Sequence, residues 1–388
     1  MLILKDNSVF SFFVALSLFL PSTVLMPSFS YYLYAPVFIL ILLLNGGEIK
    51  KPYFITLLFF IMSLLLSITA FLISGESVKY FGNFIPVQLG LIASLICSMF
   101  INKKVAKFLI CILIFEFIIS CLQYYSGVST FFPSSLVTSS LSFDVDSDLL
   151  YRKRVFGFNN NSSGLAGNAL ICFALMLSFF TNEAIKRKVL LGFLIFIVLI
   201  MAFSRSGIVA FFSYFLLFYI IKLFDVKKIL LVLFFSLCAF FIFQSVFDID
   251  FLFSQFTRDR NEIDLTGRSL IWSVYWEAIK EAPIFGNFGF KNYLSVPVYG
   301  YMHAHNSLIM SLYVFGLIPL LIILIPIVFE VIKKPKVILF LTPIVVFSLA
   351  QTFLLWGGSF ADVIFFAVIF NSIANKNNSL EYQDIKGR

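Results

Sequence analysis

Charge is what this chain lacks most. Asp, Glu, Lys and Arg make up 12% of its 388 residues, against roughly 25% in a water-soluble domain. With 53 Phe and a mean hydropathy of +1.01, an ordinary soluble fold is excluded. The five cysteines, Cys97, Cys111, Cys121, Cys172 and Cys238, all fall inside apolar runs. None lies where a disulfide or zinc cage could assemble, so they read as small core residues. Histidine is scarcer still: His303 and His305 are the only two. No Cys or carboxylate flanks them at ligand spacing, so no metal and no cofactor is expected. The net charge of +8 is split among short loops with no basic stripe, which argues against nucleic acid as a partner.

What is abundant is apolar sequence in runs long enough to cross a bilayer, whose core is about 30 Å thick. The runs are mostly unbroken rather than alternating, which argues for helices and against an outer-membrane barrel. Spans are expected at 8–26, 31–44, 53–73, 80–101, 105–125, 164–182, 188–203, 207–222, 229–247, 305–329, 337–356 and 359–374. The apolar start continues into further spans and reads as a first helix, not a cleaved signal peptide. The expected fold is an all-α polytopic membrane protein of about twelve helices, with residues 1–388 as one transmembrane domain.

Lys50-Lys51, Lys103-Lys104, Lys186-Arg187-Lys188, Lys227-Lys228 and Lys333-Lys334 fall in every second connection. By the positive-inside rule both termini are cytoplasmic. The two long connections, 126–163 and 248–304, then face outward, and long external segments are where sites concentrate. Arg205, Arg268 and His305 all fall on this side.

Arg205 stands in the tight Ser204-Arg205-Ser206-Gly207 turn. Such a guanidinium either anchors a hairpin at the boundary or binds a phosphate in bidentate fashion. Arg268 precedes SLIWSVYWEAIKEAP. Leu270, Ile271, Val274, Ala278 and Ile279 recur there at helical spacing, and Pro283 marks the end. Trp272, Tyr275 and Trp276 suit a short helix in the membrane interface. Arg268 at its N-terminus is either a surface residue or an anion holder. His303-Ala304-His305-Asn306 opens the tenth span, where His305 reads as a proton acceptor or as a polar helix-start residue. Arg154 and the run Asn159-Asn160-Asn161 precede the sixth span; they suit sugar hydroxyls and helix capping equally. Asp248, Asp250, Asp259, Glu262 and Asp264 crowd the large loop as alternative bases or a solvated cluster. Glu116, the one acid well inside a span, reads as a buried, hydrogen-bonded group.

Taken in order, Arg154-x-x-Gly157-Phe158 with its Asn run, Ser204-Arg205-Ser206-Gly207, Thr266-Gly267-Arg268 with Trp272, Pro283-x-x-Gly286 with Gly289, and His305-Asn306 with Gly316 resemble the O-antigen polymerase and O-antigen ligase superfamily. The resemblance covers roughly residues 150–330. It implies a metal-independent glycosyltransferase of the C-type membrane class in the bacterial inner membrane, acting at the periplasmic face. Its donor and acceptor would be undecaprenyl-pyrophosphate-linked glycans, with a chain-length regulator protein as a further partner. Carried over by position, His305, Arg268 and Arg205 would be catalytic, the arginines holding the pyrophosphate. Arg154, Asn159, Asn161, His303 and Asn306 would contact substrate. A polymerase is the expectation, with the ligase that transfers glycan to lipid A core as the alternative. A flippase is the alternative of another class. It would need cations at midplane, which the spans almost wholly lack.

Overall fold

The computed structural model describes residues 8–26, 30–44, 48–75, 85–133, 154–181, 183–222, 268–297 and 300–372. The expected ninth span, 229–247, and the acidic cluster from Asp248 to Asp264 lie outside them. In chain order the helices are α1 (Ser8–Phe19), α2 (Ser30–Leu44), α3 (Lys51–Ser74), α4 (Val87–Ser98), α5 (Lys103–Tyr125), α6 (Ser162–Phe179), α7 (Ile185–Met201), α8 (Arg205–Lys222) and α9 (Arg268–Glu281). After a hairpin of β1 (Leu294–Val296) and β2 (Gly300–Met302) come α10 (Ser307–Phe315), α11 (Leu317–Lys333), α12 (Lys336–Ser348) and α13 (Phe360–Asn371).

Among the described residues, α3, α5 and α6 are long and apolar enough to cross a membrane. Their burial differs with position. Every residue of α13 from Phe360 to Phe370 is buried, as is nearly all of α6, and the two helices pack together at the centre. Gly164, Ala166, Gly167 and Ala169 on α6 permit the close approach that small residues give membrane helices. On the periphery, Leu65, Leu72, Phe115, Val189, Leu216 and Phe329 all stay more than half exposed. An apolar surface of that extent suits lipid rather than water. The protein is an integral membrane protein.

Polar contacts sort the helix ends into two groups. Lys50 Nζ donates to Asn371 Oδ1 (3.1 Å), and Lys334 Nζ to the Ile369 carbonyl (3.0 Å). The Asn371 amide donates to the Ser98 and Ile101 carbonyls, each at 3.0 Å. The lysine-bearing start of α3 thus meets the ends of α4, α11 and α13. The connections at Lys50, Ile101 and Lys334 thus gather at one set of helix ends.

At the opposite ends the structure departs from the expected spans. The tenth is two helices, interrupted at Gly316, whose φ of 68° and ψ of −178° no side-chain-bearing residue adopts cheaply. The backbone groups freed by the break are taken up by the segment after α9. Asn287 and Gly289 N–H donate to the Tyr313 and Val314 carbonyls (2.8 Å each), and Leu317 and Ile318 N–H to Pro283 and Ile284 (2.9 and 3.2 Å). Non-helical backbone within a membrane bundle is tolerated only where protein satisfies it in this way. The eleventh span ends at Ser348, short of the expected 356, and residues 349–359 form a loop. The β1–β2 hairpin, paired Leu294↔Met302 to Val296↔Gly300, is a strand element not expected from the sequence. It lies in a connection, so the rule against strands in the spans is untouched.

Candidate functional site

The site grows from α9. Its Ile271, Tyr275 and Ile279 recur every fourth residue and are buried, so the helix docks on protein. Of the aromatics expected to suit an interfacial helix, Trp272 and Tyr275 reach backbone carbonyls of the chain. Trp272 Nε1 donates to the Ala304 carbonyl (2.9 Å) and the Tyr275 hydroxyl to Met302 (2.8 Å); Trp276 alone of the three is classed as exposed. These two bonds fasten α9, with Arg268 as its first residue, to the 302–304 segment that carries the histidines.

His303 and His305 face each other with ring centroids 3.9 Å apart. The His305 backbone sits at φ 48°, a left-handed conformation that costs a non-glycine residue on the order of 1–3 kcal/mol and tends to cluster at functional sites. That twist turns its N–H back onto His303 Nδ1 at 3.2 Å. Thr352 Oγ1 lies 2.8 Å from the same nitrogen. Asn306 heads α10: its Oδ1 accepts from Leu308 and Ile309 N–H (2.9 and 3.1 Å) and its amide donates to Leu349 O (2.8 Å).

The 349–359 loop forms the facing wall. Ser307 Oγ accepts from Phe353 and Leu354 N–H (2.8 and 3.0 Å), and the Phe353 ring occupies the space a Cβ on Gly167 would need. Asp362, buried at the start of α13, accepts from Leu355 N–H (2.7 Å) and Gly357 N–H (3.0 Å). So held, the loop presents Trp356 to Tyr293 (6.4 Å, 15° between planes) and to His303 (5.9 Å, edge-on). Lys291 Nζ stands 3.4 Å over the Trp356 ring, a cation–π contact.

The electrostatics follow from this enclosure. Burial, then the nearby His305 and Lys291, pulls His303 from 6.5 down to about 3. His305 is held below its ordinary value by burial first and the Arg268 charge second, against a hydrogen bond with the Gln351 side chain. Burial brings Lys291 down to about 7, opposed by Asp362. Both imidazoles are therefore neutral at neutral pH, beside the Arg268 charge and a Lys291 that is only partly protonated there, an arrangement that accepts a proton on nitrogen and attracts an anion.

The structure thus unites His303, His305, Asn306 and the Arg268 charge. Arg205 is the first residue of α8, behind Phe203 at φ 48°. Ser204 Oγ caps the turn by accepting from Gly207 N–H at 3.1 Å. Helix α8 packs on α12, which leads directly into the 349–359 loop. Arg154 adjoins this turn, since Val155 N–H donates to Met201 O at 3.4 Å. Asn159 and Asn161 belong to a separate cluster. The Asn159 amide donates to Glu116 Oε1 (2.7 Å), and Glu116 also accepts from Phe158 N–H (3.1 Å) and the Asn168 amide (2.9 Å). Asn161 caps α6 by accepting from Gly164 N–H (2.7 Å). Among the described residues no three His, Cys, Asp or Glu side chains group as around a metal ion.

Lys291, Tyr293, Gln351, Thr352, Trp356 and Asp362 were not singled out in the sequence. Gln351-Thr352 and Gly357-Gly358 do interrupt the eleventh apolar run, a signal that could have exposed the loop.

Residues 190–324 match the family model described as O-antigen ligase. The match supports a likeness of this stretch to the O-antigen polymerase and ligase superfamily. The stretch contains Arg205, Arg268 and both histidines. No curated protein matches the chain.

Proposed function

We propose that the protein is an O-antigen polymerase. It would join undecaprenyl-pyrophosphate-linked oligosaccharide repeats at the periplasmic face, with both termini cytoplasmic and without a metal. The observation that carries this reading is the neutral His305 held against the Arg268 charge inside the matched domain. The acceptor hydroxyl attacks the anomeric carbon and its proton passes to the free nitrogen of His305. The glycosidic C–O bond to the pyrophosphate breaks, and its electron pair leaves with the phosphate oxygen. Arg268 and Arg205 stabilise the charge growing there, in a site with limited water where preorganised donors act most strongly. General-base help of this kind is worth roughly 10²–10⁴-fold. Arg154 stands beside the Arg205 turn as a further contact for phosphate or sugar, and a chain-length regulator protein is a further partner under this reading.

The family description favours one second reading, an O-antigen ligase that uses lipid A core as acceptor. Purified protein reconstituted with lipid-linked repeats alone separates the two. Chain growth supports the polymerase; transfer only after lipid A core is added supports the ligase.

A further inference from the structure

We infer that His303 is a fixed, neutral hydrogen-bond donor that presents its Nε2–H to an oxygen of the donor pyrophosphate, while His305 supplies the accepting nitrogen. The identity of the anion rests on the glycosyl-transfer reading; the tautomer does not. A backbone N–H can only donate, and that of His305 points at His303 Nδ1 from 3.2 Å, so Nδ1 must offer its lone pair. The Thr352 hydroxyl, 2.8 Å away, contacts the same nitrogen. A neutral imidazole whose Nδ1 accepts carries its proton on Nε2.

Three features keep the ring in that state. The left-handed His305 backbone aims the N–H. Thr352 sits in the loop braced by Ser307 and Asp362. The ring is packed against His305 at 3.9 Å, Trp356 at 5.9 Å and Tyr293 at 6.2 Å. Burial and the neighbouring Lys291 further oppose a second proton. Among the described residues its hydrogen bonds are the two at Nδ1, so Nε2–H remains for a ligand. Charge chooses that ligand. The Arg268 charge acts on His305 and Lys291, partly protonated at neutral pH and held over Trp356, acts on His303, and a site of that charge takes an anion. A neutral donor adds a hydrogen bond to it without repelling those cations.

Because the chain has two histidines, imidazole-15N labelling of the full-length protein in detergent yields two rings, and His303→Gln assigns them by removing one. The expected result is an Nε2–H tautomer for His303 that stays neutral down to about pH 5, well below the ordinary histidine value. Its Nε2–H resonance should shift when inorganic pyrophosphate is added. In Thr352→Val, a near-isosteric change, the second tautomer should appear. An Nδ1–H tautomer, an imidazolium near neutral pH, or a resonance unmoved by pyrophosphate overturns the inference. In the chain-growth assay His303→Phe should lower kcat at least tenfold, His303→Gln should retain more, and neither should move the acid limb of the pH profile. An acid limb that follows His303 contradicts the division of roles. If the spectra behave as expected but no chain grows, the donor site stands and the glycosyl-transfer reading fails.

Discussion

Gly286 and Gly316 meet backbone to backbone: a Cβ on either would lie 2.4 Å from the other's amide nitrogen. The break between α10 and α11 and the segment after α9 are thus one joint, and this joint sets where the histidine segment and Arg268 lie relative to the bundle. Gly316→Ala should therefore destabilise on two counts, a left-handed φ costing on the order of 1–3 kcal/mol and a clash that only backbone movement relieves. Gly75 is the control, with φ 67° and nothing within 4 Å of a built Cβ. Thermal unfolding in detergent should show a larger loss for Gly316→Ala than for Gly75→Ala; equal losses would remove the joint from the account.

Glu116 anchors the corner that leads from Arg154 into α6. Its two oxygens accept three N–H groups, from Phe158, Asn159 and Asn168. Glu116→Gln puts a donor where an acceptor is required and leaves a buried N–H unpaired, at a cost of about 1–3 kcal/mol. A lowered melting temperature is expected. Removing the donor at the other end, in Asn168→Leu, should lower it less when Gln is already at 116 than when Glu is.

These two clusters also show what the sequence could reveal. The connections at Lys50 and Lys334 were legible because charge at a membrane boundary follows one rule, and the helix starts at Asn161 and Asn306 because side-chain caps are local. The histidines and arginines stood out through scarcity. The break at Gly316 was hidden because hydropathy runs unbroken across it, and only the partner segment Pro283–Gly289 makes the interruption affordable. Lys291 and Trp356 were hidden for a similar reason: they are 65 positions apart, and only their contact at 3.4 Å gives either a meaning. The carbonyl partners of Trp272 and Tyr275 were not legible, because an aromatic with a polar handle suits a membrane interface and a buried carbonyl equally.

The pH dependence of activity should carry the mark of Arg268. Since burial and the Arg268 charge hold His305 below 6.5, its neutral form persists into mildly acid solution, and the acid limb of kcat/KM should fall below 6.5. Removing the cation raises the pKa, so Arg268→Gln should move that limb to higher pH as well as slowing the reaction. A limb that stays in place while the rate falls would separate Arg268 from His305.

Lys291 makes a stability prediction of known sign. Its pKa is about 7 in the folded protein and about 10.4 in an unfolded chain. Between these values the unfolded state binds the extra proton, so stability rises as pH increases from about 7 to 10. Lys291→Met should flatten that rise in melting temperature. An unchanged slope would place the titration elsewhere.

The most direct measurement is chain growth by purified protein, in vesicles with undecaprenyl-pyrophosphate-linked repeats and a chelator present, comparing wild type with His305→Ala and Arg268→Ala at matched folded levels. The account predicts polymer from wild type and, for each variant, a loss of at least about 100-fold, the lower bound for a missing general base in His305→Ala and for a missing preorganised charge stabiliser in Arg268→Ala. Polymer of normal length and rate from either variant would contradict it.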